Sequence, residues 1–291
     1  MEEKEYAIPP YTTDEILKDA HRIYGIGAKE AMRMLQNLFE MGLITYHRTD
    51  SKHVSDVGLK IAKDYLKDDF VGRRWGKEGT HECIRPTRPW DSQTIQRYIN
   101  EEILQIKIEG DEILLYDLIF RRFMTSQSKG LMKISRYELK VNGGEMQFSL
   151  VTGARGRAYK LYPYSLKIYP PLKEGRGKIE VEKRIIKIPP YTQADVIRLM
   201  KERGIGRPST YATILGKLFQ RKYIYEGKMG LIPTKRGADV FSYLSSNYGK
   251  FISEERTRIL EKKMDKIESG EKDYNDVLQE LYQEIQEIRG K

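Results

Sequence analysis

An internal repeat constrains the fold of this 291-residue chain more than any other feature. Three short runs recur in the same order, the second copy lying 179 or 180 positions after the first. They are IPPYT at 8–12 and 188–192, GIG at 25–27 and 204–206, and LF at 38–39 and 218–219. Three matches in register indicate a duplicated structural unit.

Each copy predicts a helix, a glycine break, a second helix and a strand. In the first copy the apolar spacing and capping residues predict a helix capped by Thr13 or Asp14 and running through Arg22, a second helix over Ala28–Glu40, and then a strand over 43–46. The second copy continues through 223–225 and 231–234, as a wing would. We therefore predict two winged-helix-like units, with the strand that carries Tyr46 recurring near Tyr225.

A β segment separates the two copies. After Gly130 the apolar period changes from helical to two, and Asn142-Gly143 is a strong signal for a two-residue hairpin turn. Residues 157–168 and 178–188 are typical of further strands. Further helices are predicted from Ser55 to 66, over 94–108, 111–128, from Ser253 to 269, and over 274–288. The predicted class is multidomain α+β, mostly helical, with an inserted antiparallel β segment.

Composition narrows the function. Lys+Arg 52 against Asp+Glu 42 gives a net charge of +10, which favours a polyanionic partner, although excess charge also serves solubility. The single cysteine, Cys83, excludes a disulfide framework within these residues and fits a reducing, cytoplasmic setting. The acidic start is unlike a signal peptide, and no apolar run reaches membrane-spanning length.

Residues 44–51, ITYHRTDS, hold the leading candidate for chemistry. A tyrosine can attack phosphorus and leave again, and its phosphodiester retains the energy of the broken bond. On an extended segment Arg48 would share a face with Tyr46, bind the phosphate and stabilise its developing charge. A bare Tyr-x-Arg would more often be a packed tyrosine beside a solvent-exposed arginine. The surrounding motif favours the nucleophile.

Two other segments suit phosphate. His81 and Arg85 lie in a Pro-rich loop, where the histidine either assists phosphate binding or serves as a hydrogen-bonded structural residue. A metal site built on His81 and Cys83 lacks further ligands. Residues 204–211, GIGRPSTY, form a helix-terminal phosphate cradle or an ordinary helix cap. They lack the Gly-Lys-Ser/Thr ending of an ATP-binding loop.

Three motifs together resemble the type IA DNA topoisomerase family: GLITYHRTDS at 42–51, HECIRPT at 81–87 and GIGRPSTYA at 204–212. His47 and the run at 115–123 are most similar to reverse gyrase. Cys83 stands where the family usually has a smaller residue. The resemblance implies that Tyr46 forms a transient 5′-phosphotyrosyl link to single-stranded DNA for strand passage, with Arg48 and His81 at the phosphate. The implied DNA-binding residues are Thr49, Asp50, Ser51, Arg85, Arg207, Ser209 and Thr210.

The resemblance also implies a domain plan. Residues 1–12 lead into a β arch, 13–130 form a helical domain carrying the catalytic tyrosine, 131–190 form the antiparallel arch that moves it, and 191–291 form a second, DNA-binding helical domain. Both helical domains contain a winged-helix-like unit.

The family's magnesium site is expected outside this chain. It lies in a toprim domain with an Asp-x-Asp cluster, and no Asp-x-Asp occurs here. ATP would act only through a helicase-like half that is also expected elsewhere. We therefore expect partners that carry the toprim and helicase-like parts, no membrane, and weak or no cleavage by this chain alone.

Two rival functions remain open. The first is a non-catalytic, single-stranded DNA-binding module. The second, a tyrosine nuclease or recombinase, fits less well because the four histidines are scattered and Tyr46 lies close to residue 1.

Overall fold

The computed structural model describes residues 2–79, 81–141, 144–175, 190–227 and 230–289. The chain divides into two compact units, Met1–Ile188 and Pro189–Lys291. The first unit contains β1 (Glu2–Glu5), α1 (Thr13–Tyr24), α2 (Ala28–Glu40), α3 (Asp56–Leu66), α4 (Ser92–Asn100), α5 (Gly110–Ser126), β2 (Leu131–Val141), β3 (Gly144–Arg155) and α6 (Arg157–Leu161). The second contains α7 (Gln193–Glu202), α8 (Tyr211–Gln220), β4 (Ile224–Gly227), β5 (Gly230–Pro233), α9 (Lys235–Ile252), α10 (Glu254–Glu268) and α11 (Tyr274–Arg289).

The predicted cap of the first helix was wrong: Thr12, rather than Thr13 or Asp14, caps α1, which runs to Tyr24 instead of Arg22. Thr12 and Glu15 form a reciprocal capping box at the start of α1, and Gly25 ends that helix in the left-handed conformation that glycine adopts without strain. Helix α2 has the predicted bounds. The Ser55 hydroxyl accepts a hydrogen bond from Gly58 N and so caps α3.

Helix α5 forms the centre of the first unit. Its buried face includes Leu115, Leu118, Ile119 and Phe123, each with no exposed area, and α2, α3, α4 and α6 pack around it. The prediction for the preceding helix was wrong at its end, because α4 stops at Asn100 instead of reaching position 108.

A three-stranded antiparallel sheet with the order β1-β2-β3 occupies the same unit. Glu2 pairs with Ile134, and Leu131 pairs with Arg155. The predicted turn at 142–143 and the predicted strand at 178–188 lie outside the described residues. The predicted strand at 157–168 was wrong, since 157–161 form α6 and 163–165 a 3₁₀ turn. That segment is rich in good helix formers, and Ala158 and Tyr162 are fully buried.

A buried polar network joins the N-terminal segment to α1 and to the residues after α6. The hydroxyls of Tyr11 and Tyr162 donate to Asp19 Oδ2 at 2.9 and 2.7 Å. The Arg122 guanidinium covers both rings, with Cζ 4.9 and 5.2 Å from their centroids, and donates to Pro9 O. Burial would raise the pKa of Asp19, but these hydrogen bonds and Arg22 outweigh burial and lower it.

The second unit repeats the helix pair and adds a hairpin. Thr192 and Asp195 form the capping box of α7. Strands β4 and β5 pair antiparallel, with Ile224 opposite Pro233. Ser253 caps α10 as predicted, whereas α9, capped by Thr234, was not predicted.

The two copies of the repeat end their second helix with the same main-chain hydrogen bonds. Gly42 N donates to Phe39 O and Leu43 N to Leu38 O; at an offset of 180, Lys222 N donates to Phe219 O and Tyr223 N to Leu218 O. In this alignment Tyr46 corresponds to Glu226, which refines the predicted position near Tyr225.

The copies also share the pairing that follows. Thr87 N donates to Leu43 O as Thr234 N donates to Tyr223 O, and Ile84 N donates to Tyr11 O as Leu231 N donates to Tyr191 O. The continuous strand predicted over 43–46 was nevertheless wrong. Ile44 makes only an isolated bridge to Pro86, because its partner lies in a distant loop rather than in a hairpin.

Candidate active site

The main chain around Tyr46 is held on both sides. Before it, Thr45 N donates to Arg85 O at 2.9 Å and the Thr45 hydroxyl donates to Cys83 O at 2.8 Å. After it, the Thr13 hydroxyl donates to His47 O at 2.7 Å. The residue between these anchors therefore presents its side chain from a fixed backbone.

Thr49 and Ser51 brace the turn that follows. Thr49 is buried, and its main-chain N and O bond to Thr13. The Thr49 hydroxyl accepts from Ser51 N at 3.0 Å, and the Ser51 hydroxyl accepts from His53 N at 3.1 Å. Asp50 is exposed. These contacts give Thr49 and Ser51 a structural task; their contact with DNA stays a prediction.

The Tyr46 ring is 39% exposed and lies among three other rings. Phe39 meets it edge-on with centroids 5.6 Å apart, and His81 lies at 5.6 Å with an interplanar angle of 36°. The structure thus brings together Tyr46 and His81, which are 35 positions apart in the sequence. Sequence reasoning missed Phe39, although its place on the apolar face of α2, one turn before the motif, was a signal.

His47 is fully buried beside Tyr46, with centroids 5.7 Å apart. Neither of its ring nitrogens has a hydrogen-bond partner among the described residues. Burial, together with the neighbouring Arg48 and against the opposing Glu40, lowers the pKa of His47 to about 4. The imidazole is therefore neutral near pH 7, and the ring that packs beside the phenol carries no charge.

Arg48, the next residue, is exposed to solvent. The chain bends at His47 and Arg48, so the extended geometry expected from the sequence was wrong. The guanidinium donates to Gln36 Oε1 at 3.4 Å, and no carboxylate pairs with it within the part of the chain that the structure describes. Its remaining donors are available to a phosphate.

Arg85, in contrast, is only 4% exposed. It binds Glu82 through two hydrogen bonds of 2.8 and 2.7 Å and donates to Pro86 O. Burial would raise the pKa of Glu82, but the hydrogen bonds from Arg85 and Ser55 outweigh it and lower that pKa. Arg85 thus braces the loop whose other end carries His81, and its predicted contact with DNA would require this pair to open.

The three candidate residues of the second unit lie at the start of α8. Arg207 forms ion pairs with Asp265 at 2.6 Å and Glu261 at 3.3 Å. The Thr210 hydroxyl accepts from Arg207 N at 2.8 Å, while Ser209 is exposed. Arg207 is thus already bound to acidic side chains, so its predicted grip on DNA would compete with them.

No group of three or more His, Cys, Asp or Glu side chains that could hold a metal ion occurs within the described ranges. The residues around Tyr46 do not fit a magnesium site, and the expectation that the metal binds elsewhere stays untested. None of the described helices is long and apolar enough to cross a membrane.

Comparisons with known proteins agree on one family. The DNA topoisomerase family matches residues 1–279 of this chain. Reverse gyrase from Pyrococcus furiosus is 46% identical over 98% of this chain, and reverse gyrase 1 from Aquifex aeolicus is 44% identical over 96%. The chain spans about a quarter of the length of each of these relatives, 25% in both cases.

A solved structure supports the same conclusion. Full-length topoisomerase I from Thermotoga maritima superposes with a TM-score of 0.76 at 27% identity, covering 99% of this chain and 51% of that one.

Proposed function

Because this chain belongs to the type IA DNA topoisomerase family, we propose that it is the strand-cleaving and rejoining part of a reverse gyrase-like enzyme, with Tyr46 as the nucleophile. One observation carries the proposal. A half-exposed phenol projects from a main chain bonded on both sides, and the His81 imidazole lies 5.6 Å from its ring; Arg48, two residues further on, donates to Gln36 and pairs with no carboxylate among the described residues. Such preorganisation favours attack at a fixed phosphate.

The proposed step exchanges one ester for another. The Tyr46 oxygen loses its proton and attacks the phosphorus of a single strand, and the bond from phosphorus to the 3′ oxygen breaks. The 3′ oxygen takes a proton, and the 5′ phosphate stays on the tyrosine. Reversal restores the strand, so the link conserves the bond energy while another strand passes.

Arg48 and His81 have separate roles in this proposal. Arg48 binds non-bridging phosphate oxygens and stabilises the charge that builds on them. His81 lies against the phenol ring and exchanges protons between the solvent and the reacting oxygens. His47 stays neutral, so Arg48 is the one cation that the proposal places next to the phenol.

The remaining parts bind and move DNA. We propose that each repeat is a winged-helix unit, that the sheet of β1 to β3 belongs to the arch that displaces the Tyr46 domain, and that Arg207, Ser209 and Thr210 hold the single strand. The exposed Asp50 and the braced Thr49, Ser51 and Arg85 would line its path. Change of DNA supercoiling would need Mg²⁺ and the toprim and helicase-like parts.

The test mixes this chain with a toprim-bearing partner, labelled single-stranded DNA and Mg²⁺, and traps the adduct by denaturation. A covalent adduct on Tyr46 is expected with the partner and little or none without it. Tyr46→Phe should abolish the adduct. Tyr225→Phe is the matched control, since Tyr225 is a 51% exposed tyrosine in the second copy, and it should leave the yield unchanged.

Two results would contradict the proposal. An adduct that persists in Tyr46→Phe would assign the nucleophile elsewhere. Binding of the single strand without any adduct, in the presence of an active partner, would favour the non-catalytic DNA-binding module.

A further inference from the structure

A ladder of two arginines and two aromatic rings lies just beyond the active-site loop. The Arg88 Cζ is 5.1 Å from the Trp90 ring centroid, and the Arg97 Cζ is 5.4 Å from that of Tyr98. The two rings meet edge-on with centroids 5.1 Å apart. We call these four side chains the stacking platform.

The platform is held firmly by its neighbours. Thr87, immediately before Arg88, donates to Leu43 O at 3.0 Å through its N and to Gly42 O at 2.6 Å through its hydroxyl. The buried Tyr116 hydroxyl donates to Trp90 O at 2.6 Å. The next residue, Asp91, caps α4 by accepting from Thr94 N at 2.8 Å.

Among the described residues, the two arginines of the platform have no acidic partner. Neither Arg88 nor Arg97 forms an ion pair within the part of the chain that the structure describes, although Glu101 follows Arg97 by one helical turn. Both arginines are exposed, while Trp90 and Tyr98 are half-buried. Arg122, which also covers aromatic rings, differs because it is only 12% exposed and lies 3.8 Å from Asp19.

This arrangement suits one kind of ligand. A guanidinium stacked on a ring keeps its in-plane N–H groups free for phosphate oxygens, and its outer face is open to a base. Aromatic rings beside unpaired cations are the recurring means of binding single-stranded nucleic acid without sequence preference. We infer that the stacking platform binds a nucleotide of the single strand outside the cleavage site, by stacking and by phosphate contact.

The pairing of the loop sets the distance from Tyr46. Ile44 makes an antiparallel bridge to Pro86, so Arg88 lies level with Gly42, four positions before Tyr46. Four residue positions separate their levels, so the main chain between them spans at most roughly 13 Å, the length of four fully extended residues. That upper limit corresponds to roughly four nucleotides at the spacing of a stacked strand. The inference rests on the proposed function only in that the same strand reaches Tyr46.

Affinity measurements test it without any cleavage. Labelled single strands of about 4 to about 16 nucleotides would be titrated by anisotropy. Trp90→Ala should weaken binding of the long strands about tenfold, equal to ~1.4 kcal/mol, and have little effect on the shortest. Trp90→Phe should retain most of the affinity, which separates stacking from loss of fold.

Salt dependence tests the arginines. The Arg88→Ala/Arg97→Ala double variant should lower the slope of log affinity against log salt by about 1.4, whereas lysine at both positions should retain it. Arg136→Ala is the matched control, because that exposed arginine already pairs with Glu2, and no change is expected.

Three outcomes would overturn the inference: unchanged affinity in Trp90→Ala, an equal loss for the shortest strands, or an equal loss for duplex DNA of the same length. Failure of the proposed function would appear separately, as absence of the Tyr46 adduct while these affinities behave as expected.

Discussion

The two copies of the repeat close the same pairing around very different lengths of chain. Ile224 and Pro233 pair across eight intervening residues, whereas 41 residues lie between Ile44 and Pro86. The longer interval carries Tyr46, Arg48, α3 and His81. One copy is therefore a closed hairpin, and the other is the same hairpin opened to hold the candidate active site.

A small unit can therefore acquire a site at a small cost in free energy. The entropy of closing a flexible loop grows only with the logarithm of its length, so extending eight residues to 41 costs about 1.5 kcal/mol. Both copies keep the same anchors, since the Thr87 hydroxyl donates to Gly42 O at 2.6 Å and the Thr234 hydroxyl to Lys222 O at 2.7 Å. Glu226 corresponds to Tyr46 in the alignment of the two copies. Its carboxylate accepts a hydrogen bond from the Gln193 side chain at 2.8 Å.

The largest expected contrast concerns the tyrosines that open each copy. Tyr11 is fully buried in the network with Asp19, and Tyr191 is 54% exposed. Tyr11→Ala should lower the free energy of unfolding by about 3–5 kcal/mol, because it removes a packed ring and leaves the carboxylate short of a donor. Tyr191→Ala should change it by less than about 0.5 kcal/mol.

Native-state hydrogen exchange would measure both variants, using amides in α1 and α7 as local reporters. Equal destabilisation by the two substitutions would show that the copies are supported in the same way, contrary to the comparison.

These two tyrosines also mark what sequence could and could not predict. The caps Ser55 and Ser253 and the bounds of α2 and α3 follow from local patterns within about a dozen residues, and the repeat follows from a comparison of short runs. The burial of Tyr11 depends on Tyr162, 151 positions away, and the pairing of Ile44 depends on Pro86. No local pattern records contacts of that range, so the sequence predicted a strand where an isolated bridge occurs.

The same reason limited the site prediction. The Tyr46 motif identified the candidate nucleophile, and its loop partner His81 was found through the family resemblance. Spacing alone did not indicate that carboxylates hold Arg85 and Arg207. Glu82 is close to Arg85 in the sequence, but Asp265 is 58 residues away from Arg207.

The second prediction concerns His47, which is specific to the opened copy. Its folded pKa is about 4, lowered by burial and by Arg48 against the opposing Glu40, while an unfolded histidine titrates near 6.5. Between these values the unfolded chain binds more protons, so stability is complete above about pH 6.5 and falls as the pH drops toward 4. His47→Leu should remove this dependence.

The magnitude is measurable by urea unfolding. Between about pH 7 and about pH 5, wild type should lose roughly 2 kcal/mol more than His47→Leu. The substitution His53→Leu is the control, because it removes another buried histidine of the same unit. Identical pH profiles for wild type and His47→Leu would refute a neutral, buried imidazole at position 47.

The third prediction separates the two threonine anchors. Thr87→Val removes one hydroxyl bond and should cost about 1 kcal/mol of stability. It should also lower adduct formation by Tyr46, because the loop that carries His81 loses a fixed end. Thr234→Val should cost as much or more, since that hydroxyl also accepts from Gly237 N and caps α9, yet leave the adduct yield unchanged. A fall in yield from Thr234→Val alone would reverse the assignment of roles.

The smallest effect, with opposite signs in the two copies, is expected where each second helix ends. Gly42 and Lys222 occupy the same position with φ of 69° and 57°. Glycine adopts this left-handed conformation freely, whereas a side chain there costs about 1 kcal/mol.

Gly42→Ala should therefore destabilise the first unit by about 1 kcal/mol. The cost comes from backbone strain and not from a clash, because a Cβ there would meet nothing within 4 Å. Lys222→Gly should stabilise the second by a few tenths of a kcal/mol to about 1 kcal/mol, since relief of strain exceeds the entropy that glycine adds to the unfolded chain. Exchange rates of the amides in α2 and α8 report each change locally. Shifts of the same sign would mean that the two helix ends differ in their surroundings more than their shared hydrogen bonds suggest.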